Sequence, residues 1–110
     1  MTKLSGFIAL GALAAFAAGA QAASDGKAVY ERTCVACHGK DGKGAFPGIA
    51  PLGGKGGRLD KPDAALLKSI LEGSQTPGAA MSMPAKGGDP SLTGEDAKAV
   101  LQYMRKAFGR

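Results

Sequence analysis

The chain has 110 residues, two cysteines, one histidine and a formal net charge of +5. That length supports one small domain, and a single pair of cysteines excludes a disulfide framework. The 14 basic residues are scattered and only 5% of the chain is aromatic, which excludes a nucleic-acid footprint and favours acidic partners or surfaces.

The first predicted element is an export signal. Lys3 supplies the charged start, Phe7 to Ala18 an apolar run, and Ala20-Gln21-Ala22 a small-x-small cleavage site. Cleavage near Ala22 divides the chain into a leader over 1–22 and one domain over 23–110, and places the product in the periplasm. The alternative is an uncleaved anchor, because Leu4 to Ala23 has the 20 residues a bilayer needs. The run is mostly Ala and Gly, however, and ends in a good cleavage site. The remaining 88 residues form a marginal core, carry a formal charge of +4, and call for a cofactor to complete them.

The first helix is predicted over Ser24 to His38, with Ser24 or Asp25 as its cap and Gly39 at its end. Gly39 to Gly57 holds eight glycines in 19 residues, plus Pro47 and Pro51, so it is neither helix nor strand. Phe46, Ile49 and Leu52 punctuate it, as expected of a loop packed on a flat apolar surface. A second helix opens at Asp60-Lys61-Pro62-Asp63 and stops at Gly73, with a stripe of Ala64, Leu67, Ile70 and Leu71 and with Leu66 beside it. Ser74 to Ser91 is loop. The last helix starts at Thr93, where Asp96 completes a capping box, and Ala97, Val100, Leu101, Met104 and Phe108 follow at helical spacing. Without any alternating strand pattern, the fold class is all-α, with three to four helices and long loops.

The chemistry lies in Cys34-Val35-Ala36-Cys37-His38, which reads C-x-x-C-H, the attachment signature of c-type haem. Two thiols one helical turn apart share a helix face and can form thioethers to one porphyrin, and the next residue offers an imidazole to its iron. A structural zinc site would need four ligands, and His38 is the only histidine. A thioredoxin-like dithiol would open a helix in a βαβ setting, whereas this motif closes one. A plain disulfide says nothing of His38. The opposite face of the iron needs a second ligand. Met1 lies in the leader and Met104 on an apolar stripe, which leaves Met81 and Met83. Met83 is preferred because Pro84 stiffens the backbone behind it, with Met81 as the alternative. A thioether paired with imidazole raises the haem potential and closes the iron to substrates.

On these residues the mature region resembles a class I c-type cytochrome. The likeness adds Met83-Pro84-Ala85-Lys86-Gly87-Gly88 and a closing helix with Val100 and Tyr103, which Gly26 and Tyr30 of the first helix would cross. It implies a cytochrome c fold wrapped around one covalent haem c, with Cys34 and Cys37 as attachment points and His38 and Met83 as axial iron ligands. It also implies a loop carbonyl accepting a hydrogen bond from the His38 ring. That position, a proline in the usual pattern, is Ala50 here. Partners of the family dock at the exposed haem edge, where Lys40, Lys43, Lys55, Arg58 and Lys86 would form a basic rim.

The resulting expectation is a periplasmic electron carrier, not an enzyme, that cycles between Fe(II) and Fe(III) and meets redox partners as a monomer. The second expectation is a dedicated cytochrome subunit or acceptor of a periplasmic dehydrogenase. A haem-based sensor or peroxidase-like protein, which needs an open iron position, comes third.

Overall fold

The computed structural model describes residues 24–78 and 81–109. The leader expected over 1–22, with its cleavage site at Ala22, lies outside the described residues.

The first helix is continuous but not uniform. It comprises α1 (Gly26–Val29), a π-helical turn (Tyr30–Cys34) and α2 (Val35–His38). Of the two candidate caps, Asp25 acts: its carboxylate accepts from the Lys27 amide at 3.1 Å and the Ala28 amide at 3.4 Å. The π turn is closed by the Val35 amide donating to the Tyr30 carbonyl, which admits one extra residue just before the motif. Gly39 ends the helix at φ +80°, a conformation that a side chain would strain.

A 3-10 turn (Arg58–Asp60) leads into α3 (Asp63–Glu72). Its buried residues are Leu66 and Ile70, while Leu67 and Leu71 are half-buried and Ala64 is exposed. The expected stripe is therefore rotated. Leu66, predicted beside it, is at the centre of the buried face, because that face is shared with Leu59 from the preceding turn. The last helix, α4 (Gly94–Phe108), starts with the predicted capping box: the Asp96 amide donates to Thr93 Oγ1 at 3.1 Å and the Thr93 amide to Asp96 Oδ2 at 2.9 Å. Ala97, Val100, Leu101 and Met104 are buried, and Phe108 packs half-buried against them.

The first helix crosses α4 at Gly26. A Cβ on Gly26 would run into the Ala99 carbonyl and lie 2.8 Å from Tyr103 Cβ, so glycine sets the closeness of the crossing. Tyr103 is a partner expected, Ala99 adds the nearest backbone contact, and Val100 lies buried in the same core cluster as Tyr30. Tyr30, 1% exposed, stacks its ring 5.5 Å from Tyr103 and 5.3 Å from Phe108. Arg105 joins α4 to the start of α3. Its Nε donates to Asp63 at 2.7 Å, Nη1 to the Leu59 carbonyl and Nη2 to the Lys61 carbonyl, both at 2.9 Å. The described residues contain no β-strand, only one antiparallel residue pair, Ser74 with Met83. The architecture is all-α.

Candidate functional site

Cys34 ends the π turn, and Cys37 and His38 lie in the final turn of α2. Both cysteines are free and half-buried. Burial, then the neighbouring Cys37, pushes the Cys34 thiol up to about 11. A thiol held protonated at neutral pH is the opposite of the acidic thiolate that disulfide exchange uses. Burial lowers the His38 pKa below its ordinary 6.5, so the ring stays neutral, the form that ligates metal.

The glycine-rich loop folds back over this helix end. The Gly44 amide donates to the His38 carbonyl at 2.8 Å and the Ala45 amide to the Cys37 carbonyl at 2.9 Å. The buried Tyr30 hydroxyl donates to the Gly39 carbonyl. Phe108 lies directly over Gly42, where a Cβ would come within 2.8 Å of its ring. Leu52, expected against a flat surface, is buried in the protein core. Ile49 is half-buried and Phe46 is 43% exposed.

The expected bond from the His38 ring to the Ala50 carbonyl is not formed. His38 Nδ1 is buried without a partner. The chain just after Ala50 is committed elsewhere: the Pro51 carbonyl accepts from the Arg58 amide at 3.1 Å, and the Leu52 amide donates to the Gly42 carbonyl at 2.8 Å.

The methionines separate by environment. Met104 is core, 6% exposed, and Met81 is 50% exposed. Met83 is half-buried against the core. It exchanges two backbone hydrogen bonds with Ser74, Met83 N–H to Ser74 O at 2.8 Å and Ser74 N–H to Met83 O at 2.9 Å. Gly73, at φ +82°, lies under this pair, where a Cβ would meet the Met83 carbonyl at 2.7 Å. This pinning went unseen in the sequence, whose only signal was a glycine ending α3 one residue before Ser74. Of the five rim cations, Lys40, Lys43 and Lys55 are exposed and Arg58 and Lys86 half-buried. Arg58 donates to Thr76 Oγ1 at 3.4 Å, and none of the five forms an ion pair among the described residues.

Residues 21–104 match the family described as cytochrome C oxidase, cbb3-type, subunit III. The chain belongs to this family of cytochrome c domains. Cytochrome c-555 of Prosthecochloris aestuarii is 31% identical over 83 residues, 74% of this chain and 83% of the relative. Cytochrome c-555 of Chlorobaculum thiosulfatiphilum is 30% identical over 82 residues, 74% of this chain and 92% of the relative. The fructose dehydrogenase cytochrome subunit of Gluconobacter japonicus is 38% identical over 94 residues, 78% of this chain but only 19% of that protein. The chain thus spans about a fifth of that subunit's length.

A cytochrome c domain implies covalent haem c, electron transfer and redox partners, and the Cys34–Cys37 spacing fits that attachment. The residues present fit the group. Cys34, Leu67, Leu71 and Met83 all pack on the core yet remain partly open, so each keeps apolar area that the protein does not itself cover. The half-buried His38, its ring held neutral, stands in the same helix turn as Cys37. A zinc reading finds no support, since the described residues contain no cluster of three or more His, Cys, Asp or Glu able to hold a metal. Nor is any described helix long and apolar enough to cross a membrane.

Proposed function

We propose that this protein is a periplasmic monohaem cytochrome c that carries single electrons between redox proteins. Haem is joined to Cys34 and Cys37, and the iron is held between His38 and Met83. The leader is removed near Ala22 and residues 23–110 form the haem domain.

What supports this reading is the motif at the end of its helix together with a half-buried Met83 whose backbone is pinned. The motif occupies the last turn of a helix whose end is tied down at the Cys37, His38 and Gly39 carbonyls. Met83 is the described methionine that is neither core nor mostly exposed, and its backbone is fixed to Ser74 at both N–H and C=O. Bound haem supplies a one-electron Fe(II)/Fe(III) couple. The protein keeps the His38 ring neutral and offers a soft thioether from a stiff loop, and the half-buried Leu67 and Leu71 would supply apolar contact to the group. Two fixed axial ligands favour electron transfer over bond-making and raise the potential.

The exposed Lys40, Lys43 and Lys55 and the half-buried Lys86 suit an acidic docking partner. Reduction by that partner should slow as ionic strength rises, because exposed charges are screened over a Debye length of about 8 Å at physiological salt. A rate independent of salt contradicts the basic rim.

The similarity to a dehydrogenase cytochrome subunit supports a second reading, in which this chain serves one dehydrogenase as a bound acceptor. Stable copurification with an enzyme distinguishes it from a free carrier. A sensor or peroxidase-like protein would bind carbon monoxide when reduced and lack a far-red sulfur-to-iron absorption band when oxidised. The carrier reading expects the band and no carbon monoxide binding.

A further inference from the structure

The segment after Met83 has an uncommon backbone. Lys86, Gly87 and Gly88 are all left-handed, with φ of +56°, +61° and +83°. Hydrogen bonds from the Gly87 amide to the Pro84 carbonyl at 3.1 Å and from the Asp89 amide to the Lys86 carbonyl at 3.0 Å hold the turn. A side chain is strained at each of these positions, and Lys86 bears that strain.

The two glycines differ in what surrounds them. A Cβ on Gly87 would lie 2.5 Å from Thr33 Cγ2 and 3.2 Å from the Thr33 carbonyl oxygen. A Cβ on Gly88 would meet nothing within 4 Å. Thr33 is in the π turn, directly before Cys34. Its Oγ1 is buried with no partner, so shape and not hydrogen bonding joins it to Gly87. Arg32 adds an ion pair to Asp89 at 3.6 Å. The loop that carries Met83 is therefore seated twice, on Ser74 at one end and on the motif helix at the other.

We propose that Gly87 is a positioning residue. Its bare backbone against Thr33 seats the Met83 loop on the helix that bears Cys34, and so sets how firmly Met83 occupies the second axial position. This inference rests on Met83 as the iron ligand. An added methyl at Gly87 overpacks the contact: Thr33 Cγ2 stands in its way at 2.5 Å and the Thr33 carbonyl oxygen behind it at 3.2 Å, so the loop is pushed away from the helix.

The test compares Gly87→Ala, Gly88→Ala and the double variant Gly87→Ala with Thr33→Ala in the haem-bearing protein. Three properties are read: the far-red sulfur-to-iron band, the carbon monoxide association rate after reduction, and hydrogen exchange at the Ser74 and Met83 amides. Gly87→Ala should weaken the band, and should raise the association rate and both exchange rates by about tenfold or more. Gly88→Ala carries the same left-handed strain without the collision, so it should change these properties several-fold less than Gly87→Ala does. Adding Thr33→Ala should return Gly87→Ala towards Gly88→Ala. Equal behaviour of the two glycine variants, or no recovery in the double variant, overturns the proposal.

If Gly87→Ala does not accumulate, Thr33→Ala alone decides. It sacrifices no hydrogen bond and leaves a gap against Gly87 where the Thr33 methyl packed, so both amides should exchange about threefold faster or more. Unchanged exchange overturns the proposal. A far-red band missing from the parent protein is a different failure: it removes Met83 as ligand, and this inference with it.

Discussion

Changing Tyr30 to phenylalanine removes one hydroxyl and retains the ring. Tyr30 is 1% exposed, and its hydroxyl donates to the carbonyl of Gly39, the residue after His38. The ring contacts with Tyr103 at 5.5 Å and Phe108 at 5.3 Å survive the change, so the variant isolates the hydrogen bond. A part-buried carbonyl left without its donor costs about 1–2 kcal/mol, the lower part of the range for unpaired groups. In a domain of this size each kcal/mol moves the melting temperature by about 4–8 °C, so Tyr30→Phe should melt about 4–16 °C lower. The buried hydroxyl itself also has a pH signature. Burial, then the nearby Cys34, raises the Tyr30 pKa from 10.0 to about 12. A raised pKa stabilises the fold fully below the unfolded value and loses that stabilisation as pH climbs through the folded one. The gap between parent and variant should therefore be constant up to pH 10 and shrink between pH 10 and about 12. Thermal melts followed by far-ultraviolet circular dichroism at neutral and alkaline pH measure both effects. Coincident melts at pH 7, or a gap unchanged into strong alkali, refute the reasoning.

Other residues yield equally direct expectations. Arg105→Met should destabilise by about 2–3 kcal/mol in urea unfolding and Asp63→Asn by only about 0.5–1, because the Leu59 and Lys61 carbonyl bonds survive the second change; the reverse order contradicts this. Leu66→Ala should lower stability by about 2–4 kcal/mol without moving the haem absorption bands, whereas Leu71→Ala should shift the bands, and identical spectra for the two would refute the division of α3 into two faces. The Ser91 side chain and amide, with Arg32, hold the Asp89 carboxyl below its ordinary 3.8, as Ser24 and Thr93 do for Asp96. Lowered values stabilise above the unfolded pKa and are lost as pH falls through the folded ones, so Asp89→Asn with Asp96→Asn should flatten acid unfolding below about pH 4, and an unaltered acid limb counts against these contacts.

The sequence disclosed features that depend on a few neighbouring residues. Asp25, Gly39, Gly73 and the Thr93–Asp96 box mark helix ends through local backbone chemistry, and all appear where expected. The α4 stripe was legible because its period is regular over 15 residues. The stripe of α3 was centred wrongly because it is apolar over most of its girth: Ala64, Leu66, Leu67, Ile70 and Leu71 leave the buried face undetermined until Leu59 is placed beside it. Features made by distant residues stayed hidden. Arg105 meets Asp63, 42 positions away, and reads in the sequence as one more helix-end cation. Nothing local marks Ser74 as the partner of Met83, or Thr33 as the neighbour of Gly87. The Ala50 carbonyl was expected to serve the His38 ring, but the bonds of Pro51 and Leu52 direct that loop elsewhere.

The most direct test of the whole account is the mass of the purified protein and of its tryptic peptide containing Cys34 and Cys37, taken after denaturation. The account predicts that both masses exceed the amino-acid value by one haem, that the peptide alone carries it, and that Cys34→Ala with Cys37→Ala abolishes the increment. A coloured protein whose denatured chain weighs only its amino acids, or a haem retained in the double variant, would contradict it.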